Sequence, residues 1–130
     1  MKLKLEIDRY FEMRRLVTPG TRDAILFLLS EVGELATEML LFLDDTKAAA
    51  LCVDMSTLGL KADILVSDSK PWLRNGDRHR TYDARLAVKN EIADVLMMTD
   101  RLAAAMGEDA VECLEDKMIT RAPGMEEFVR

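Results

Sequence analysis

Apolar positions along the chain recur three and four residues apart, the spacing of a helix with one apolar face. No stretch alternates apolar and polar residues as a half-buried strand does. Proline, glycine and short polar clusters divide the pattern into segments. The pattern therefore predicts an all-α fold with an irregular stretch at 67–81. The predicted helices lie at 2–16, 21–43, 47–66, 83–106 and 108–121.

The apolar residues of each helix also indicate its buried face. In the second helix, Leu28, Leu35 and Phe42 mark the expected inner stripe. In the last helix, Val111, Leu114 and Met118 are expected on the inner side. The second helix is apolar over much of its circumference, which predicts a central position in the fold.

Several residues provide start and stop signals for these helices. Thr18 or Thr21 is available to cap the second helix, and Asp83 is placed to begin the fourth. Gly107 follows the last apolar position of the fourth helix, where a glycine commonly ends a helix. These signals set where the predicted helices begin and end.

Two of the predicted helices carry a pair of acids three residues apart, Glu31 with Glu34 and Glu91 with Asp94. Such a pair lies on one helix face, and on most helices it simply faces water. Here the neighbours are mainly apolar, and Gly33 thins the first helix where another backbone or a ligand could approach. Carboxylates are seldom buried without a partner. Two facing pairs would therefore form a cation site.

The donor set decides which cation is expected. Four carboxylates offer only oxygen, which suits a hard ion such as Mg²⁺, with Mn²⁺ as an expected substitute. The chain has one histidine and no Cys/His cluster, which argues against zinc. Cys52 and Cys113 lie among apolar residues and are expected to be buried thiols.

The net charge of −6 argues against a nucleic-acid partner and against an anionic membrane surface. The longest apolar runs are too short to span a bilayer. No signal peptide is visible in the first residues, which mix charged and apolar side chains. These features predict a cytoplasmic protein.

The residues EVGELA at 31–36 and EIADVL at 91–96 resemble the ExxE…ExxD signature of the MazG-like all-α nucleoside triphosphate pyrophosphohydrolases. That superfamily also contains all-α dUTPases and phosphoribosyl-ATP pyrophosphohydrolases. The resemblance implies an antiparallel bundle of four to five helices, completed by formation of a homodimer or homotetramer. It also implies Mg²⁺-dependent hydrolysis of a nucleoside or deoxynucleoside triphosphate to the monophosphate and pyrophosphate.

The resemblance also assigns residues to roles. By it, the two acid pairs hold the metal, and Lys117 and Arg121 resemble basic positions that meet substrate phosphates. Glu34 or another of these acids would help deprotonate the attacking water. Glu38 continues the face of Glu31 and Glu34 and is a candidate fifth acid for that step. The alternative is that Glu38 is a solvated residue at the far end of the helix.

The stretch between the two acid pairs is longer than in compact members of this superfamily. It predicts an inserted helix and return loop at 44–81 within a single domain spanning 1–130. In the insert, Trp72 could stack on a base and Arg74 could bind phosphate. The alternative is that Arg74 is an ordinary loop charge and Trp72 covers an edge of the core.

Two other interpretations remain open at this stage. The chain could be a non-enzymatic helical module that oligomerises through its apolar stripes, with the acids paired to arginine and lysine. It could also be a superfamily member specialised for dUTP or phosphoribosyl-ATP. The residues alone do not select a base.

Overall fold

The computed structural model describes residues 2–66 and 83–120. Within these ranges the regular structure is entirely helical, so the all-α prediction is confirmed for the described part of the chain. A short 3₁₀ helix, Leu40–Phe42, follows the second α-helix. In chain order, the α-helices are α1 (Lys2–Met13), α2 (Thr21–Met39), α3 (Thr46–Leu65), α4 (Ala84–Ala105) and α5 (Ala110–Thr120).

Aspartates cap the N-termini of α3 and α4. The side chains of Asp45 and Asp83 each accept hydrogen bonds from the backbone N–H groups two and three residues later, at 2.8 to 3.2 Å. These bonds satisfy N–H groups that have no partner within the helix. The prediction for Asp83 is therefore confirmed. The expectation of a threonine cap on α2 was wrong, because Gly20 is its N-cap and provides no side-chain bond.

The ends of α1 and α4 share one geometry. The chain turns at a residue with positive φ, 54° at Arg15 and 77° at Gly107. In each case the next amide donates back into the last turn, Leu16 N–H to Phe11 C=O and the Glu108 N–H to the carbonyl of residue 103, both at 2.8 Å. This is the hydrogen-bond pattern of a Schellman cap. The predicted stop at Gly107 is confirmed, whereas α1 ends earlier than predicted.

Helices α2 and α3 cross in direct backbone contact at two glycines. A Cβ atom added to Gly33 would lie 2.7 Å from the Cα of Gly59, and one added to Gly59 would lie 2.8 Å from the Cα of Gly33. Farther along the crossing, the hydroxyls of Thr37 and Ser56 are 2.6 Å apart. Because the partner numbers on α3 fall as those on α2 rise, the two helices are antiparallel. The sequence expectation that Gly33 admits another backbone is confirmed.

Helix α4 lies along another side of α2. Glu31 and Glu34 lie beside Glu91 and Asp94 near the middle of the two helices. Residues at the end of α2 lie beside residues at the start of α4. The numbering on the two helices therefore runs in opposite directions, so α2 and α4 are also antiparallel. Helix α2 is thus the central element, since both α3 and α4 pack mainly against it.

A buried arginine on α4 forms an ion pair with an aspartate on α1. Arg101 is 2% exposed, and its guanidinium bonds Asp100 and Asp8, with the shortest distance 2.6 Å in each case. It also donates to the Thr18 hydroxyl at 3.4 Å and lies 4.9 Å from the centre of the Phe11 ring. The Arg101 guanidinium holds the pKa of Asp8 below its usual value. A buried charge needs this kind of pairing.

The buried face of α2 differs from the predicted stripe. Its fully buried positions include Ala24, Phe27 and Ala36, whereas Leu28 and Leu35 are only half-buried. Phe42 is 48% exposed. The prediction was wrong because α2 is covered on two sides, so small residues fill the crossings and larger ones lie beside them.

Several apolar residues predicted to be buried are in fact exposed. On α5, Leu114 and Met118 are more than half exposed, so the expected inner face is wrong at these two residues, whereas Val111 is half-buried. The predicted burial of the thiols is also wrong, because Cys52 is half-buried and Cys113 is exposed. Among the helices within 2–66 and 83–120, none has both the length and the apolar character needed to cross a bilayer.

Candidate metal centre

The central feature of the α2–α4 contact is a cluster of four carboxyl groups. Glu31 and Glu34 come from α2, and Glu91 and Asp94 come from α4. Each contributes one oxygen to a set in which all four oxygens lie within 4.8 Å of one another. Glu31 is 0% exposed, and the other three residues are half-buried. The structure thus brings together the two acid pairs that the sequence singles out.

The helical repeat explains how α2 serves two partners at this point. Residues three apart lie on nearly the same side of a helix, so Glu31 and Glu34 both face α4. Gly33 lies on a different side and contacts Gly59 of α3. On α4, Glu91 and Asp94 have the same spacing and complete the cluster. One turn of α2 therefore carries both the tight crossing and half of the acid cluster.

The surroundings of Glu91 disfavour its charged form. Burial, followed by the negative charges of Glu34 and Glu31, raises the pKa of Glu91 to about 9 from an ordinary value of 4.5. A hydrogen bond between the Glu91 and Glu34 carboxyls and the charge of Asp94 act in the same direction. Two carboxyl groups joined by a hydrogen bond need a proton between them. At neutral pH the metal-free cluster therefore retains a proton that Glu91 and Glu34 share.

One oxygen of the cluster marks where a cation fits. Oε2 of Glu91 is buried and accepts no hydrogen bond from the described residues. An orphaned buried carboxylate oxygen is costly, and a bound cation removes that cost. A divalent ion would also favour the charged form that the neighbouring acids disfavour. The arrangement therefore fits a cation better than it fits an empty acidic cluster.

Distances agree with a hard divalent ion. Oxygens bound to one Mg²⁺ are at most about 4.2 Å apart, since each bond is about 2.1 Å. The four oxygens lie within 4.8 Å of one another, which is close to that limit. Mg²⁺ more often takes one or two carboxylates and keeps several waters, so fewer than the four acids are enough to hold it. An all-oxygen set also suits Mn²⁺.

The other predicted site residues are less closely tied to this cluster. Glu38 is half-buried, one turn beyond Glu34 on α2, and is not among the four clustered acids. Lys117 is exposed near the end of α5. Trp72, Arg74 and Arg121 lie outside the described residues. The roles predicted for these five residues stay predictions.

A cleft beside the acids includes residues that the sequence alone did not single out. It has a volume of about 330 Å³ and is lined by Met39, Phe42, Arg85, Val88 and Lys89. Two come from the end of α2 and the 3₁₀ helix, and three come from the first turns of α4. These residues follow from the antiparallel pairing of α2 and α4. Once Glu34 lies beside Glu91, residues after Glu34 on α2 lie beside residues before Glu91 on α4.

Comparison of the chain with protein-family models, curated proteins and solved structures found no match. Its function is therefore inferred from its own residues and from the geometry of α2 and α4.

Proposed function

We propose that this protein is a Mg²⁺-dependent nucleotide pyrophosphohydrolase of the MazG-like kind. The observation that carries the proposal is the convergence of four carboxylate oxygens, within 4.8 Å of one another, on two facing helices. The sequence resemblance points to the same four residues. The raised pKa of Glu91 and its buried Oε2 add that the cluster is better satisfied by a cation than by protons alone.

In this proposal Glu31, Glu34, Glu91 and Asp94 hold Mg²⁺, or Mn²⁺ in its place. The ion supplies positive charge that polarises phosphoryl oxygens and favours ionisation of a nearby water. The half-buried setting of the acids strengthens these interactions, because charges attract more strongly where water is partly excluded. With the ion bound, the same carboxylates would also hold the substrate's phosphates at the contact between α2 and α4.

The proposed reaction is attack of a water oxygen on the α-phosphorus of a nucleoside or deoxynucleoside triphosphate. The bond between the α-phosphorus and the bridging oxygen breaks, and pyrophosphate leaves with that oxygen. The proton of the water passes to a carboxylate of the α2 face, Glu34 or Glu38. Lys117 and Arg121 neutralise phosphate charge, and Trp72 and Arg74 belong to the substrate-binding side of the predicted insert.

The same proposal includes assembly of an antiparallel helical bundle from more than one copy. Ile92 and Leu96 of α4 are 52% and 49% exposed, and Leu60 and Ile64 of α3 are more exposed still. Apolar helix faces of this kind are ordinarily covered. Light scattering coupled to size exclusion should report a homodimer or homotetramer. A monomer at all concentrations would remove this part of the proposal.

The experiment that tests the activity is a panel of nucleoside and deoxynucleoside triphosphates with Mg²⁺, scored for pyrophosphate and monophosphate. We expect Glu34→Gln and Asp94→Asn each to lower the rate at least about a hundredfold, as loss of a charge-stabilising group typically does. Their helical circular dichroism should stay intact. Glu115→Gln and Asp54→Asn are matched controls, because both residues are exposed and lie outside the cluster. E38Q tests Glu38 as the proton acceptor, because Glu38 is not one of the four clustered acids.

The panel also separates the alternatives. A single preferred substrate, such as dUTP or phosphoribosyl-ATP, would identify a specialised enzyme. A non-enzymatic module would release no pyrophosphate, and its melting temperature would not respond to Mg²⁺ plus nucleotide. Ligand binding to the folded state raises that temperature by mass action. Unchanged activity in both E34Q and D94N would overturn the assignment of the cluster.

A further inference from the structure

The cleft next to the acid cluster combines apolar and cationic residues. Met39, Phe42 and Val88 provide apolar surface, and Arg85 and Lys89 provide two positive charges. Both cationic residues are exposed, so their aliphatic stems can line the cleft while their charged ends stay in water. The volume of about 330 Å³ lies at the small end of the range for ligand pockets.

The cleft and the acid cluster lie along the same two stretches of chain, α2 with its 3₁₀ extension and α4. Phe42 is eight residues beyond Glu34, a rise of about 13 Å over α-helical and 3₁₀ turns, and Arg85 is six residues before Glu91, a rise of about 9 Å. Val88 is one turn before Glu91 and lies on the same face of α4. A molecule with phosphates at the acids can therefore extend its other end into the cleft.

Charge favours a nucleotide as that molecule. The protein carries a net charge of −6, and its four clustered acids would repel phosphates that arrive without a cation. Arg85 and Lys89 place two positive charges at the cleft, where they would attract a phosphorylated ligand. Phe42 offers a partly exposed aromatic ring, on which a planar base can stack.

We propose that this cleft binds the nucleoside part of the substrate. The base packs against Phe42 and Met39. Lys89 lies only about 3 Å before Glu91 along the axis of α4 and pairs with a phosphate through its long side chain. Arg85, one turn farther from the acids, donates hydrogen bonds to acceptor atoms of the sugar or base. This assignment rests on the proposed function for the identity of the ligand, but it concerns binding rather than hydrolysis.

The test compares triphosphates with and without a nucleoside. Non-hydrolysable α,β-methylene triphosphates of the common bases and inorganic triphosphate are titrated calorimetrically, each with Mg²⁺. Phe42→Ala should weaken binding of the methylene analogues about five- to 150-fold, the range for one lost base–aromatic stack. It should leave the affinity for inorganic triphosphate unchanged. Leu41→Ala is the matched control, since Leu41 is an exposed neighbour that does not line the cleft.

The two cationic residues give a second, independent comparison. Lys89→Gln should weaken inorganic triphosphate and every analogue by a similar factor. Arg85→Gln should weaken only the analogues and change the ranking of bases or sugars. Lys61→Gln on α3 is the control for general loss of positive charge, because Lys61 is exposed and is not part of the cleft.

The outcomes for the cleft and for the activity can be told apart. Equal affinity of F42A and wild type for every analogue overturns the cleft assignment, even if wild type releases pyrophosphate. Weak analogue binding confined to F42A and R85Q supports it, even if no pyrophosphate is released, in which case only the proposed activity fails. Failure of wild type to bind any analogue overturns the cleft assignment as well.

Discussion

Helix α2 meets α3 and α4 through two opposite kinds of contact. Against α3, Gly33 and Gly59 bring the helix backbones together, with no room for a Cβ atom on either side. Against α4, Glu31 and Glu34 face Glu91 and Asp94, and like charges meet. The glycine contact is made entirely by the chain's own atoms and needs no bound ion. The second contact is unfavourable until protons or a cation neutralise it, which is typical of a site whose stability is given up for function.

The two faces of α2 should therefore tolerate different kinds of substitution. The α2–α3 crossing depends on shape, because its closest contacts are between backbone atoms that cannot move independently. The α2–α4 contact depends on charge, so its stability should change with pH and with divalent ions. The predictions that follow test this contrast.

The largest change in stability is expected at the glycine crossing. Gly33→Ala puts a methyl 2.7 Å from Gly59 Cα and 2.9 Å from the Met55 carbonyl oxygen, so the helices must separate. We expect Gly33→Ala or Gly59→Ala to lower the free energy of unfolding by about 3 kcal/mol, near the upper end for overpacked cores. Urea titration followed by circular dichroism measures this change.

Gly20 provides the matched control for that experiment. A Cβ atom at Gly20 meets nothing within 4 Å, and its φ of −71° is accessible to alanine. Gly20→Ala should therefore shift the free energy of unfolding by only about 0.5 kcal/mol or less. Equal effects at Gly20 and Gly33 would show that the crossing is looser than the structure indicates.

The next effect concerns pH at the α2–α4 contact. The pKa of Glu91 is about 9 in the folded protein and 4.5 ordinarily, so folding retains a proton that the unfolded chain releases. Stability from this group is complete below about pH 4.5 and is lost as pH rises toward 9. Allowing for partial solvent screening, we expect a loss of about 2 kcal/mol between pH 5 and pH 8 in metal-free protein.

Mg²⁺ should reverse the dependence of folding stability on pH. Ionised carboxylates bind the ion and protonated ones do not, so affinity for Mg²⁺ should rise with pH and binding should release protons. Thermal unfolding with EDTA and with Mg²⁺ across pH 5–8 measures both effects. This range avoids interference from Asp8, whose pKa is held low by Arg101. Parallel pH profiles with and without Mg²⁺ would contradict a metal site here.

Glu91→Gln measures how much Glu91 alone contributes to the pH dependence of folding stability. A neutral amide keeps the size of the side chain and does not have to take up a proton when the chain folds, so the metal-free variant should gain about 1 kcal/mol near pH 8 and lose most of the pH dependence. It should also lose the stabilisation by Mg²⁺. Glu108→Gln is the control, because Glu108 is exposed and outside the cluster. Calorimetric melting of both variants gives the comparison.

Part of this contrast could be predicted from the sequence. The helices, the capping role of Asp83 and the two acid pairs follow from local spacing, which a single chain displays directly. The partner of Gly33 could not be predicted, because nothing local relates it to Gly59 on another helix. The buried pairing of Arg101 with Asp8 was missed for the same reason, since ninety-odd residues separate them.

The exposed apolar residues mark a second limit of sequence reasoning. Spacing predicted Leu114 and Met118 as inner residues of α5, but within the described chain both are more than half exposed. A periodic apolar stripe indicates that a face is suited to burial, and it does not say whether the same chain or another copy covers it. The cleft residues could be found only after the antiparallel pairing of α2 and α4 was known.

The smallest expected effect tests whether polar bonds help to hold the α2–α3 crossing. The Thr37 and Ser56 hydroxyls are 2.6 Å apart across the two helices, but Thr37 is exposed and water can replace the bond. Ser56→Ala should therefore cost only about 0.5 to 1 kcal/mol. Thr57→Ala is the control, since the Thr57 hydroxyl bonds the Val53 carbonyl of its own helix and should be nearly neutral. If urea titration instead showed a loss at Ser56 as large as at Gly33, the crossing would depend on its hydroxyl pair, and close backbone approach would no longer distinguish the two faces of α2.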